Sequence, residues 1–421
     1  MSLTQSARYL LLILVLVQAG CGSGGSVQSD EDLVCCNEPP PTGLLIAADT
    51  EVQFLEVFSQ SIIEDGEDYL NNDRIMEVVF ATEDSFTSTY TLEASVDEHD
   101  VVKYNGDHLF IAPSRSMDCC FMAEDVSKIA ADEGEEDPDS LNDEDRGIRI
   151  LSTASEQASA TLVSVIPVEG DLTVEGLYIK DSSLVSLRSS SWWGTFGERF
   201  GNSWAWEGQT SALDIYDISE PEQPELKLQI ELEGGFVTSR RIDNHVYMVA
   251  RHTPQIPGLI RYPSTQAEIE ENKVLLSDLT AADILPAVLV NGESSLLAEA
   301  DECLFMDKTN EEASARYGFP VMTFVIAVDL ESESMLGASC YLGSVSGVYV
   351  SESAIYLTQA EGYGEESRTL VHSFKTSGSL TYQGSGSVDG HLSSRGEVDF
   401  RISEHAGYLR VVTTTQTGPW G

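Results

Sequence analysis

The residues best placed to do chemistry are four carboxylates, Glu93, Asp97, Glu98 and Asp100, in the stretch "LEASVDEHDVVKYNGDHLFIA" (Leu92–Ala112). Carboxylates this close supply hard oxygen ligands for Ca²⁺ if several converge on one loop, or an acid and base pair. Asp97, Glu98 and Asp100 are the candidate metal ligands. Strand alternation works against convergence, because it sends Glu98 and Asp100 to one face and Asp97 to the other. The preferred reading is the acidic opening of a structural unit. A denser run, "DEGEEDPDSLNDEDRG" (Asp132–Gly147), has Leu141 and Asn142 where an EF-hand needs a ligand and a glycine, and reads as a solvated loop. There is no G-x-S-x-G, no H-E-x-x-H and no phosphate-cradling glycine loop, and the seven histidines are scattered. No catalytic residue is assigned.

A second candidate is aromatic. Four of the five tryptophans, Trp192, Trp193, Trp204 and Trp206, crowd into "WWGTFGERFGNSWAWEG". Such an insertion either presents ring faces to a sugar, peptide or protein partner or folds over the body and buries itself. Burial is the preferred reading.

Six cysteines lie beyond Cys21: Cys35, Cys36, Cys119, Cys120, Cys303 and Cys340. None has C-x-x-C spacing, which disfavours zinc. An even set in an exported chain reads as disulfides. Cys303 and Cys340 flank one repeat and are expected to pair, leaving the two adjacent-cysteine pairs to join each other.

Export follows from "MSLTQSARYLLLILVLVQAGC": Arg8, an apolar run from Tyr9 to Val17, then small residues before a cysteine. The leader is too short for a lasting membrane helix. It resembles a bacterial lipoprotein signal, with Ala19 and Gly20 in place and Gln18 departing from the usual Leu. That resemblance implies lipidation of Cys21, with residues 1–21 as signal and 22–48 as a flexible tether. Gly22 then favours the outer membrane, facing periplasm or cell surface. No later segment reaches the apolar length of a bilayer span, so the lipid is the expected membrane contact. The charge is extreme: 23 Lys+Arg against 70 Asp+Glu, a formal −47. Nucleic acid and anionic headgroups are disfavoured as partners of the body.

These candidates need elements to position them. Residues 49–96 carry Val52, Leu55, Phe58 and Ile62 at helical spacing, which predicts one amphipathic helix. From about Asp97 the texture becomes short alternating runs. Five units look alike: "VVKYNGDHLFIA", "GLYIKDSSLVSL", "TSRRIDNHVYMV", "GVYVSESAIYLT" and "DFRISEHAGYLRVV". Each is a strand, a tight polar turn and a second strand. Partner hairpins lie between them, and two hairpins make one four-stranded blade. Removing insertions at about 116–147, 192–210 and 254–320 leaves the first three spacings at roughly 40 to 45 residues, the period of such a blade. Within the last insertion, "STQAEIEENKVLLSDLTAADILPAVLV" carries Ile269, Val274, Leu275, Leu279 and Ile284 at helical spacing, which predicts one or two helices on the rim.

The blocks "SVDEHDVVKYNGDHLFI", "LDIYDISEPEQPEL", "GGFVTSRRIDNHVYMV", "VYVSESAIYLT" and "HSFKTSGSLTYQGSGSVDGHL…FRISEHAGYLRVVTTT" resemble, in that order, a family of bacterial and archaeal secreted proteins with a β-propeller domain distantly similar to WD repeats. The resemblance implies an all-β fold: a β-propeller of four-stranded antiparallel blades over 97–421, with four to five visible, an incomplete ring, a short N-terminal helix and a helical insertion. Members usually continue past the "GYLRVVTTT" block, so the expectation is a truncated record of a six-to-eight-blade protein. The resemblance supplies no catalytic residues and no cofactor. The expected function is a lipid-anchored envelope binding or scaffold platform for a protein or glycan partner. The alternatives are a hydrolase or redox enzyme with its site at the central channel, and a Ca²⁺-stabilised structural protein.

Overall fold

The computed structural model describes residues 43–71, 93–113, 147–190 and 203–415, apart from short stretches at 94, 155–157, 169–171, 311–312, 314–317, 319, 344, 363, 377–379 and 393–400. The chain opens with β1 (Leu45–Ala47), α1 (Glu51–Asn71) and β2 (Val96–Glu98). Four antiparallel blades then follow in chain order. Blade 1 is β3 (Val102–Tyr104), β4 (His108–Ile111), β5 (Ile148–Ala154) and β6 (Ser159–Ile166). Blade 2 is β7 (Thr173–Lys180), β8 (Ser183–Ser189), β9 (Thr210–Asp217) and β10 (Glu225–Glu233).

Blade 3 starts with β11 (Gly235–Ile242) and β12 (His245–His252). It is interrupted by α2 (Gln266–Leu276), β13 (Ala287–Val290), β14 (Glu293–Leu296) and β15 (Leu304–Met306), and it closes with β16 (Met322–Asp329) and β17 (Ser334–Leu342). Blade 4 is β18 (Gly347–Val350), β19 (Ala354–Glu361), β20 (Arg368–Lys375) and β21 (Thr381–Asp389), and a single hairpin, β22 (Ile402–His405) with β23 (Tyr408–Val411), follows it. No strand pairing among the described residues joins that hairpin back to blade 1.

The core explains why these hairpins stack as separate blades. Alternate residues of one strand enter different clusters: Val246, Met248 and Ala250 pack towards blade 2, while Tyr247 and Val249 pack towards blade 4. Blades 1 and 2 share a third cluster containing Phe110, Ile150, Leu177 and Leu184. Blade 3 is therefore a thin sheet buried on both faces, so its strand β16, "MTFVIAVD", reads as a continuous apolar run without strict alternation.

The helix over Glu51–Asn71 forms as expected, but its core face is rotated from the expected one. Phe54, Val57, Phe58, Ser61 and Ile62 are buried, whereas Val52 is 64% exposed. Counting apolar residues at i, i+3 and i+6 from Val52 picks out a second stripe, because α1 is apolar on two sides.

The insertion at 254–320 is also more than helical. Thr265 and Glu268 form a capping box that starts α2, and α2 ends at Leu276, with Ile284 buried beyond it. The following "AVLVNGESSL" is a hairpin turning at Asn291 and Gly292, both with positive φ (51° and 83°). It extends blade 2 through β10–β13 pairing. Strand β15 pairs with β17 of blade 3 and with β1. A disulfide joins Cys303, beside β15, to Cys340 in β17.

Candidate functional site

Glu93, Asp97, Glu98 and Asp100 are dealt out to successive blades. First strands lie nearest the axis of a propeller, and residues 93–100 run along the free edges of three of them. The Oη of Tyr349, in β18 of blade 4, donates to Glu93 Oε1 at 2.5 Å. Strand β2 pairs antiparallel with β11 of blade 3, Asp97 opposite Arg241 and Glu98 opposite Arg240. Asp100 bridges Leu177 of β7 in blade 2, with N–H to O distances of 3.2 and 2.8 Å. The chain then enters blade 1 at Val102.

Every acidic side chain of β2 meets a cation. Asp97 Oδ2 accepts from Arg241 Nη2 at 2.9 Å and from Nε at 3.3 Å. Its other oxygen accepts from Lys103 Nζ at 3.0 Å. The same ammonium donates to the Glu98 carbonyl at 2.6 Å and lies 5.5 Å from the Tyr178 ring centroid. Arg240 Nη2 lies 3.3 Å from Glu98 Oε1. In a chain with only 23 basic residues, committing three here marks the block as structural glue.

Between the two acidic residues of β2 and Asp100 sits His99. Its Nδ1 is 3.0 Å from Ser239 Oγ, which is 2.9 Å from Tyr178 Oη. Burial raises the Tyr178 hydroxyl above its ordinary range, so it stays a neutral hydrogen-bonding group. The ring of His99 fills the space beside Gly176: a Cβ there would lie 2.6 Å from His99 Cδ2. Glycine at that point of β7, next to a bulge, lets the axial segment approach the strand.

The structure thus brings Asp97 and Glu98 together on one short strand, each on its own guanidinium, and places Asp100 in a backbone bridge. Among the described residues no group of three or more His, Cys, Asp or Glu is arranged to hold a metal ion. Trp204 and Trp206 are buried in a 3-10 turn that folds onto blade 3, and so do not offer free ring faces. Trp206 packs under the guanidinium of fully buried Arg251 at 5.3 Å, and Arg251 Nη2 donates to the Val345 carbonyl at 2.7 Å. Thr253 Oγ1 anchors the turn by donating to the Ser203 carbonyl. Cys21, Cys35, Cys36, Cys119, Cys120, Trp192, Trp193 and the acidic run before Gly147 lie outside the described residues.

Sequence reasoning missed the partners Arg240, Arg241 and Lys103. The available signal was the pair "RR" in the first strand of a repeat, in a chain otherwise short of cations. It also missed a groove of about 870 Å³ between α1, α2 and β15. Val52, Leu55 and Ile63 of α1 line one side, and Leu276, Leu279 and Phe305 face them.

Against known proteins, no curated protein matches the sequence. A family model described as "Beta propeller domain" matches residues 86–421, which takes in the axial segment and every blade. The chain belongs to the beta propeller domain family.

Proposed function

We propose that this protein is an exported, lipid-anchored component of the cell envelope whose propeller is a binding platform for a protein or glycan partner and has no catalytic role of its own. A propeller supports a binding or scaffold role in general, and fold alone assigns no chemistry. The observation that carries the reading is the pairing of Asp97 with Arg241 and Lys103, and of Glu98 with Arg240. The acidic cluster that could have acted as an acid, a base or a cation ligand is used to hold blades along the axis.

The address rests on the leader ending at Cys21, and the Cys303–Cys340 disulfide supports an oxidising compartment. No helix among the described residues is long and apolar enough to cross a membrane.

Two measurements test the proposal. Cells fed a clickable palmitate analogue should label the wild-type chain and not Cys21→Ala, with the label in the membrane fraction. An unlabelled wild-type chain would overturn the anchor. Asp97→Asn/Glu98→Gln should melt at lower temperature yet cross-link the same envelope partners in intact cells. Loss of those cross-links at an unchanged melting temperature would assign the acidic block to function instead.

A further inference from the structure

The outer edges of the blades differ along the chain. A sheet edge presents a row of backbone donors and acceptors with which another strand can pair. In blade 2 that edge is covered by β13 and β14, and in blade 3 by β15 and β1. Among the described residues no strand pairs with the outer edge of β6 in blade 1 or of β21 in blade 4. Strand β21 is a poor template, because Gly384 and Gly386 interrupt it and Asp389 closes it. Strand β6, "SATLVSVI", has neither a glycine nor a charge, in a chain with 70 acidic residues among 421. Its threonine, valines and isoleucine suit a pleated strand. Ser159 to Leu162 are exposed, Leu162 by 51%.

The register of β6 on β5 shows what fits this edge. Ser164, opposite Ile150, and Ile166, opposite Ile148, lie on the side packed against blade 2, whereas Leu162, opposite Leu151, and Val165, opposite Arg149, lie on the other. Val163 is the extra residue where the register shifts, so the alternation changes phase within the strand. Directly opposed residues of an antiparallel pair share one face of the sheet. A regular strand of eight residues, paired end to end with its own copy, would set inward residues against outward ones. In β6 the shift removes that conflict. Centred between Leu162 and Val163, a second copy sets Thr161 opposite the partner's Ser164 on one face and Ala160 opposite the partner's Val165 on the other. The overlap runs the full strand, about 26 Å at 3.3 Å per residue, and sets no charge against another. We infer that β6 is a self-association edge, at which two copies of this chain pair antiparallel about a two-fold axis and join their first blades into one continuous sheet.

The test uses the full chain in detergent micelles. Ala160→Cys/Val165→Cys places opposed thiols on one face of the joined sheet. Oxidised with copper phenanthroline, it should run at twice the monomer mass on a non-reducing gel, above any wild-type background from the native cysteines. Neither single variant should do so, because each position lies about 16 Å along the strand from its own copy. No dimer, a ladder beyond the dimer, or equal dimer from a single variant would overturn the inference.

Sedimentation gives a second readout whose sign separates pairing from general stickiness. Leu162→Lys adds a positive charge to a chain of formal charge −47, which would strengthen non-specific association, yet it sets two like charges beside the axis and should abolish the dimer. Leu226→Lys, on an exposed leucine of blade 2, should leave the dimer unchanged. The wild-type dimer should strengthen between about 0.15 and 1 M NaCl, as the screening length falls from about 8 to about 3 Å and the acidic bodies repel less. Leu162 is exposed, so Leu162→Lys should keep the wild-type melting curve. A folded Leu162→Lys chain that dimerises as the wild type does would overturn the inference. The palmitate labelling and cellular cross-linking do not depend on β6, so failure here leaves the platform reading standing.

Discussion

Asp97 and Arg241 are 144 residues apart in sequence, yet Asp97 Oδ2 accepts two hydrogen bonds from one guanidinium, at 2.9 and 3.3 Å. The Asp97 and Arg241 side chains are 23% and 17% exposed, so solvent and salt screen the pair only in part. Arg241→Ala strands Asp97 beside Lys103 alone and should cost about 1–3 kcal/mol in urea unfolding. Asp97→Asn should cost a similar amount. The double variant should fall short of the sum by more than about 0.5 kcal/mol, the mark of direct coupling. Strict additivity would show that the pair does not hold β2 to β11.

The same pairing makes a prediction about Ca²⁺. A ligand that binds only the native state raises the melting temperature with concentration. Because Asp97 and Glu98 are already engaged by Arg241, Lys103 and Arg240, added millimolar CaCl₂ should move the melting midpoint no more than MgCl₂ does. A rise specific to Ca²⁺, and lost in Asp97→Asn, would reinstate the acidic block as a cation site.

Much of this architecture is legible in the sequence, and the exceptions have physical causes. The hairpins are readable because turn residues punctuate short alternating runs, and the blades because the hairpins recur at roughly 40 to 45 residues once the insertions are set aside. Partners were less readable. Nothing local in "VDEHD" says that Arg240 and Arg241 will face it, since the pairing joins residues 144 positions apart in the case of Asp97 and Arg241. The α1 stripe was half right for a related reason: Val52 and Leu55 obey helical spacing, but periodicity does not distinguish a core from a groove. The β13–β14 hairpin was missed although Asn291–Gly292 is a strong turn signal, because the preceding helical pattern in α2 was carried through it.

His99 and Gly176 provide a sharper test of the axial segment. A Cβ on Gly176 would come within 2.6 Å of His99 Cδ2 and 2.9 Å of its Cβ, so the axial segment must shift to admit it. Gly176→Ala should therefore destabilise by about 1–3 kcal/mol. Combining it with His99→Ala should recover part of that loss, since the 2.6 Å contact with Cδ2 is removed, while the 2.9 Å contact with Cβ remains and the Ser239 hydrogen bond is sacrificed. Equal melting of the single and double variants would mean that the segment does not pack against β7.

The Cys303–Cys340 bond closes a loop of 37 residues in sequence and ties β15 of the insertion to β17 of blade 3. In the chain-entropy account a loop of this size is worth about 4 kcal/mol. Replacing both cysteines with serine should lower stability by up to that amount and loosen the β1–β15 edge first. Faster hydrogen exchange at Ile46 and Phe305 would report it. Unchanged exchange there, with intact stability, would show that the insertion is held by packing alone.

Two buried histidines contribute to the pH response. His372 is fully buried between Ser385 Oγ, 2.6 Å from Nδ1, and Tyr341 Oη, 3.4 Å from Nε2. Burial pushes its pKa down to about 3 from an ordinary 6.5. His252 is pushed down to about 4, by burial against the opposing effect of its backbone partner Ile284. In each case the unfolded chain takes up a proton that the native chain refuses. Stability is therefore fully present above pH 6.5 and falls as the pH drops below it, until the native-state values are reached. Each histidine contributes a slope of about 1.4 kcal/mol per pH unit in that window. His372→Gln keeps hydrogen-bonding capacity without the titration, so its unfolding free energy should lose one proton's worth of slope between pH 6 and 4. A variant whose slope matches the wild type would show that His372 is already protonated in the native blade.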